Sequence, residues 1–561
     1  MFEELPFAFS FLPGSNYKPI RDVAANDMAS FMAFAIVCTT TFVVVLSLYL
    51  LAQSRIKTQR VPSSIGHVGL RNEAFGTVRA CIREFTSGLQ TMASGYKKFS
   101  EKGEPFIMPT SSFETHIMLP REYIKWLTDQ PEDILSHGKV HGEKLGLRYL
   151  FPGFDYTTDM AIATAIRLHL TRNLATIQDD LMDEIQSVTD TVLGLDDQSW
   201  TEVNLFTSMS SIVSQSSGIV FFGRSLSSNA RFMQCMQRFG DIFGAGILSV
   251  GQLTPRIFRR MVGSLFLVPL SYYLAACTRY LWPVFADRLK SMNRDKHDNA
   301  FSYEAPEDLI TWMLRAALDT KAASIEDPGP LVKRFTLVTS GAISSSSVTV
   351  TNTLLDILSS DPKLHYYQTL REEAESVFPA TGDQKRPSAS LKLHRMDSAI
   401  RESLRRNPIH VRGLWREVVP KNGITLPDGQ HLQQGAWLSV PIPGIHNDDR
   451  FYPDSEAYNP FRFVPGSFSD VETAKEKIAD AKNCKPVMLT MTSDTFLPFG
   501  HARHSCPGRW FASHHIKLVL AYIFLHYDIQ GMPERPLNHV WGEHPIPPPG
   551  TVIKVKRRAV G

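Results

Sequence analysis

The residues with the most chemistry within reach lie at positions 496–510, FLPFGHARHSCPGRW. One cysteine, Cys506, stands in a Gly/Pro-rich loop among Arg503, His504 and Arg509, directly before an apolar helical pattern. A buried structural cysteine needs no cationic surroundings. A thiolate does, because positive charge and a helix N-terminus both favour the ionised sulfur. Pro507 has the ring-fixed φ of a first helical residue, and Phe511, Ile516, Leu520 and Ile523 recur at roughly helical spacing. The pattern predicts a sulfur presented at the mouth of a helix.

The other five cysteines (38, 81, 235, 277 and 484) are widely spaced, with no CxxC and no zinc-type pair. This is not a disulfide framework, and it suits a reducing compartment. Any role for Cys506 is therefore solitary, as a nucleophile or as an axial haem ligand. A second constellation lies upstream. Residues 393–406 place Leu393, Met396, Ile400 and Leu404 on one helical stripe that Asn407-Pro408 ends. Within it Glu402 and Arg405 are three apart, hence neighbours on one face. Taken alone, such a pair is a solvated surface pair contributing only a few tenths of a kcal/mol, roughly.

The elements that position these residues follow from the patterning. A chain of 561 residues buries a large core, and a formal net charge of +3 gives no indication of a nucleic-acid partner. Apolar-periodic helices dominate from about 158 to 374, for example 166–193 and 331–358. Beyond Pro408 the texture changes to turns and short strands, GITLPDGQ and GAWLSVPIP. The expected fold is mainly α with a small β part, in one catalytic domain. Residues 29–52 carry no charge and as a helix would be roughly 36 Å long, enough to cross a hydrocarbon layer of about 30 Å. A buried core helix is the alternative. Arg55, Lys57 and Arg60 follow this segment, which places the larger C-terminal part in the cytoplasm. The resulting organisation is a short lumenal N-terminus at 1–28, a transmembrane anchor at 29–52, a linker at 53–62 and the catalytic domain at 63–561. Residues 265–276 are apolar but interrupted by Pro269, and read as core or as membrane-dipping surface.

Glu402-Ser403-Leu404-Arg405 resembles the E-x-x-R signature of the cytochrome P-450 superfamily. The segment 499–508, FGHARHSCPG, resembles its haem-thiolate loop, about a hundred residues downstream. Between them Asn459-Pro460-Phe461-Arg462-Phe463 looks like the segment whose arginine completes a Glu–Arg–Arg network. In texture the chain is most similar to fungal microsomal enzymes of secondary metabolism. The resemblance implies the P-450 fold behind one N-terminal transmembrane helix, haem (iron protoporphyrin IX) with Cys506 as axial thiolate, and a network of Glu402, Arg405 and Arg462 bracing the loop. It implies that Arg416 and His504 reach haem propionates, that Phe499 packs beside the sulfur, and that Gly508 belongs to the cofactor loop. It also implies NADPH-derived electrons delivered by a flavoprotein reductase, with Arg503, Arg509 and Lys517 helping to steer that acidic partner.

Two positions depart from the family pattern. Ala502 stands where the family has glycine, so a positive φ there would strain it by about 1 kcal/mol. The run 341–351, GAISSSSVTVT, reads as a strand on propensity, yet its periodicity and position resemble the long helix crossing the distal haem face. Where the family shows an acid and a threonine, this chain has Ser344 and Ser345. Ser345 keeps a hydroxyl for hydrogen-bonding dioxygen; Ser344 carries no charge. Ser346 and Ser347 are expected merely to bond back to i−4 carbonyls.

The activity implied is hydroxylation, or successive oxidation, of a bulky lipophilic substrate of terpenoid, indole-terpenoid, polyketide or steroid type, at the endoplasmic reticulum membrane. The many Phe, Met, Ile and Leu residues between 206 and 270 fit such a substrate, although a Met/Phe-rich stretch is more often core. Two rivals stand beside it. With no acid at 344, a haem-dependent isomerase or dehydratase needs no reductase. A non-catalytic membrane scaffold would bind haem poorly.

Overall fold

Side-chain hydrogen bonds at the helix starts show how local sequence sets the elements. Asn204 accepts from the Thr207 amide and Asn229 from the Phe232 amide, capping α4 (Leu205–Phe222) and α5 (Ala230–Gly246). Ser136 caps α2 (His137–Lys144) in the same way. The computed structural model describes residues 62, 64–153, 161–297, 302–320, 327–379, 389–464, 487–541 and 543–559. The expected anchor at 29–52, the segment before it and nearly all of the linker lie outside the described residues.

The other helices that matter for the site are α1 (Gly76–Lys98), α3 (Leu174–Leu193), α6 (Arg259–His297), α7 (Gly329–Leu358), α8 (His394–Arg406) and α9 (Arg509–His526). The expected helix over 166–193 is divided, with a short wide-turn segment at Ala165–Leu170 ahead of α3. α7 runs through the largest apolar core, packed against α4, α5, α6, α8 and α9. α9 begins two residues later than the position of Pro507 suggested, with Gly508 as its cap and Pro507 in the preceding turn.

The run of hydroxyl residues in α7 is helical because its side chains satisfy themselves within it. Thr336, Thr339, Ser340, Ser347, Thr349, Thr351 and Thr353 each donate to the carbonyl four residues back, at 2.8–2.9 Å. Strand propensity reflects a half-buried pleated surface, and this segment is offered a helix-lined core instead.

A six-stranded sheet lies to one side, in the order β1-β2-β3-β7-β6-β4. Its strands are β1 (Gly66–His67), β2 (Phe106–Pro109), β3 (Thr115–Met118), β4 (Leu135–Ser136), β6 (Arg412–Val418) and β7 (Trp437–Pro441). The β1/β2 and β3/β7 pairs are parallel and the others antiparallel. A second sheet joins β5 (Thr201–Asn204), β9 (Val552–Arg557) and β8 (Tyr527–Ile529). The β6/β7 register shifts between Gly413 and Arg416, where Leu414 adopts φ +55°. This bulge re-aims the side chains of β6, with consequences below.

The apolar stretch 265–276 lies in α6 and faces outward in part: Leu265, Val268 and Tyr272 are 72%, 77% and 68% exposed. By contrast Phe222, Phe232 and Phe239 are fully buried core, the first two meeting edge to face at 5.0 Å. The Phe-rich region between 206 and 270 is thus divided between core and surface.

Candidate active site

Cys506 is held in a tight loop. Its amide donates to the Phe499 carbonyl at 2.8 Å, and the Gly500 amide to the Leu497 carbonyl at 2.9 Å. Phe499 itself is half-buried against the main core. The backbone N–H groups of Gly508 and Arg509 point at the sulfur, and a Cβ on Gly508 would sit 4.0 Å from Sγ. Burial pushes the Cys506 thiol up, while those two amides and the Arg509 charge pull it down. Burial, with Glu84 beside Cys81 and Cys235 beside Cys277, pushes these two thiols up to about 12. Yet the Cys506 side chain has accessible surface.

The expected ring of cations around the sulfur reduces to one. Burial and the neighbouring Arg416 hold His504 at about 4, hence neutral, and Arg503 donates to the Gln130 carbonyl and to His504. Arg509 alone acts, fixed by its bonds to the carbonyls of Cys506 (2.7 Å) and Thr490 (3.1 Å). Lys517, expected on the partner-docking face, is 2% exposed and paired at 3.0 Å with buried Asp397. It cannot steer a partner; the pair joins α9 to α8.

Ala502 adopts φ +54° and Gly500 φ +66°. An L-residue in this region costs about 1 kcal/mol relative to glycine. Ala502→Gly is therefore expected to slow cofactor loss and raise stability by up to about 1 kcal/mol, the added freedom of the unfolded chain offsetting part of the gain. Thermal unfolding of the loaded protein checks this.

Glu402 and Arg405 are both fully buried and meet bidentately, Nε to Oε2 and Nη2 to Oε1 at 2.8 Å each. Arg462 reaches Glu402 Oε1 with Nε at 3.0 Å. Other guanidinium protons go to backbone carbonyls, Arg405 to His446 and Ser455 and Arg462 to Pro453, Asp454 and Ala457, and Arg405 Nη1 also reaches Asn447 Oδ1. Arg405 and Arg462 thus tie Glu402 to the loops at 446–457.

His446 carries this frame to the cysteine loop. Its Nδ1–H donates to the Arg405 carbonyl at 2.9 Å, and Nε2 accepts the Leu497 amide at 3.1 Å. Burial holds the ring neutral, at about 3, as this tautomer requires. Two further side chains of α8 reach the loop's approach. Arg401 donates to the carbonyls of Met488 and Met491, and Asp397 accepts the Leu489 amide at 2.5 Å. These residues were missed in the sequence. Asp397, Arg401 and Arg405 recur every four residues, a charged stripe beside the apolar one that marks a second buried face.

Arg416 and His504 are brought together around His137. The His137 and His504 rings lie 4.8 Å apart, and Arg416 Nη1 is 3.4 Å from His137 Nδ1. His504 Nε2 also faces Glu132 at 3.1 Å. Arg416 is fully buried, and its Nε and Nη2 have no hydrogen-bond partner among the described residues. A buried guanidinium with two unmet donors fits an anionic group such as a carboxylate.

In α7 the stretch from Gly341 to Ser345 has accessible surface, whereas 346–358 is buried throughout. Beyond the helix's own nearby backbone, no described atom lies within 4 Å of where a Gly341 Cβ would stand. Ser344 spends its hydroxyl on the Ser340 carbonyl at 3.0 Å; Ser345 reaches only the i−3 carbonyl of Ala342, at 3.2 Å. Ser347 bonds back to Ile343, as expected of it.

Known proteins resemble this chain over most of its length. The family model "Cytochrome P450" matches residues 161–554. The cytochrome P450 monooxygenase polB of Polytolypa hystricis is 35% identical over 531 residues, 94% of this chain and 100% of the relative. Cytochrome P450 monooxygenase lnaC of Aspergillus flavus is 35% identical over 515 residues, covering 92% and 96%. Cytochrome P450 monooxygenase nodZ of Hypoxylon pulicicidum is 34% identical over 514 residues, covering 90% and 93%. With a mainly helical body, a small sheet part and a match over most of its length, the chain belongs to the cytochrome P450 family and is a monooxygenase of the oxidoreductase class.

Proposed function

We propose that Cys506 is the axial thiolate of a haem, and that the protein oxidises an unactivated C–H bond of a bulky lipophilic substrate in secondary-metabolite biosynthesis. The observation that carries this is a single accessible sulfur with two backbone N–H groups and Arg509 favouring its anion. Haem bound there supplies dioxygen activation, which a thiolate ligand promotes by pushing electron density onto the iron. Arg416 would hold a propionate with its two unpaired donors, with His504 and His137 beside it. Glu402, Arg405 and Arg462 hold the frame, and His446 fixes its distance to the cysteine loop.

Ser345 would offer its hydroxyl to dioxygen where haem is bound, its own helical bond being the weaker i−3 type. Ser344 is engaged with Ser340 and carries no charge, so protons enter by water or by other hydroxyls. Ser345→Ala is expected to lower the product formed per NADPH by about tenfold, the worth of one well-placed hydrogen bond, with more peroxide released. Product and peroxide yields check it. Unchanged coupling removes Ser345 from the proton path.

Electrons come from an NADPH-dependent flavoprotein reductase docking beside exposed Arg503. The segment 29–52 anchors the chain in the endoplasmic reticulum membrane, with residues 63–561 as the cytosolic catalytic domain. The outward Leu265, Val268 and Tyr272 of α6 support contact with the same membrane. Oxygen consumption dependent on NADPH and reductase, across a panel of terpenoid, polyketide and steroid skeletons, tests the reading. Product formed from peroxides without reductase marks an isomerase or dehydratase instead.

A further inference from the structure

We propose that Cys235 and Cys277 form a thiol pair that hydrogen peroxide closes into a reversible disulfide between α5 and α6, a modification site separate from Cys506. Four cysteines lie among the described residues. Cys81 is in α1 and Cys506 precedes α9, whereas the other two face one another across a helix pair.

The register of that pair brings them together. α5 and α6 pack along their length. Near the start of α5 the Phe232 ring meets Tyr280, centroids 5.7 Å apart. At its end a Cβ on Gly246 would stand 3.5 Å from the Phe266 ring. The contact moves forward fourteen residues along α5 while it moves back fourteen along α6, so the helices are antiparallel and keep their register across Pro269. Cys235 lies three residues on from Phe232, and Cys277 three back from Tyr280. Counted from the other end, each cysteine is eleven residues, about three helical turns, from Gly246 and Phe266 respectively, which returns it to the contacting face. The two thiols therefore share one layer of the interface. Cys235 adds to burial in pushing the Cys277 thiol up, as a close neighbour does.

The two sulfurs differ in access, and this orders the chemistry. Cys277 is fully buried, while Cys235 is half-buried at the edge of the same core. Burial keeps Cys277 a thiol, unreactive towards an oxidant by itself. Cys235 takes the first step: its sulfur attacks the peroxide O–O bond, giving a sulfenic acid and one water. The Cys277 sulfur then attacks the sulfenic sulfur. An S–S bond forms, the S–O bond breaks, and the hydroxyl leaves with the Cys277 proton as a second water. The two thiols lose two electrons and the peroxide gains them. Placement in one layer offsets the small thiolate fraction of Cys277. Thiol exchange with a cytosolic reductant reopens the bond, so a reducing compartment makes it transient.

The bond would act on α7, which packs against both helices. A Cβ on Gly240, five residues on from Cys235, would stand 3.9 Å from the Ser340 side chain. Closing the disulfide fixes α5 against α6 over the part of α7 that leads into Ser344 and Ser345.

The test treats reduced full-length protein with hydrogen peroxide, alkylates the thiols that remain, and maps a non-reduced digest by mass spectrometry. A peptide joining residues 235 and 277, lighter than its parts by two hydrogens and reopened by dithiothreitol, is expected. Tm of the oxidised protein should rise by a few degrees, and amide hydrogen exchange in α5 should slow. Cys235→Ser should abolish the linked peptide and the Tm gain while Cys277 stays reduced. Cys277→Ala should leave Cys235 as a sulfenic acid that dimedone traps. Wild-type protein in which Cys235 is oxidised and Cys277 remains a free thiol overturns the proposal. So does a link from either residue to another cysteine, or a link that forms only after unfolding. None of these readouts uses turnover, so they stand or fall separately from the haem reading.

Discussion

Replacing Glu402 with glutamine is expected to give a chain that loses cofactor and unfolds well below the wild-type midpoint. Among the described residues Glu402 carries the only carboxylate paired with Arg405 and Arg462, and both Glu402 and Arg405 are removed from solvent entirely. The substitution keeps the shape and leaves two guanidinium groups without their counter-ion. Removing one partner of a buried pair costs about 3–5 kcal/mol, a large part of a marginally stable fold. The consequence extends to the sulfur, because Arg405 and His446 connect this frame to Leu497 and the cysteine loop. Arg462→Ala should cost less, about 1–3 kcal/mol, since its side chain is 12% exposed and water replaces part of what it loses. Denaturant midpoints and the haem-to-protein absorbance ratio read both effects. Glu402→Gln with wild-type midpoint and full haem would show that the network is dispensable.

His446 separates the two roles of that frame. His446→Phe keeps ring volume and the stacking on Phe496, whose centroid is 5.9 Å away, but removes both hydrogen bonds. The Leu497 amide is then left unmet at the base of the cysteine loop. A cost of about 1–3 kcal/mol is expected, with faster haem loss than stability alone explains. The rate of haem transfer to an excess of acceptor apoprotein measures it.

The site was legible in the sequence where chemistry is carried by local spacing. Cys506 with its Gly/Pro loop, and Glu402 with Arg405 one helical turn apart, are patterns within ten residues. What was not legible depends on partners far along the chain. Lys517 reads as a surface cation until Asp397, 120 positions earlier, is seen beside it in the core. His504 reads as part of a positive cluster, but burial beside Arg416 keeps it neutral. The inward turn of Trp415 and Arg416 comes from a bulge in β6, and a strand pattern alone does not reveal where its register slips. The serine-rich part of α7 shows the reverse. Propensity favoured a strand, periodicity favoured a helix, and periodicity won because the hydroxyls bond back within the helix.

Cys506→Ser is expected to have the largest effect on chemistry. A serine alkoxide is not available near neutral pH, so the anionic ligand that the Gly508 and Arg509 amides are placed to support is lost. The loop itself should survive, because the amide of residue 506 still donates to the Phe499 carbonyl and Arg509 still grips the carbonyl of residue 506. Activity should therefore fall below detection while the unfolding midpoint of the apoprotein changes little. The direct measurement is the reduced carbon-monoxide difference spectrum of the full-length protein in membranes, wild type beside Cys506→Ser. A strongly red-shifted Soret band in the wild type that is absent from the mutant is the result this account predicts. The same band in both proteins, or no haem band in the wild type, would contradict it.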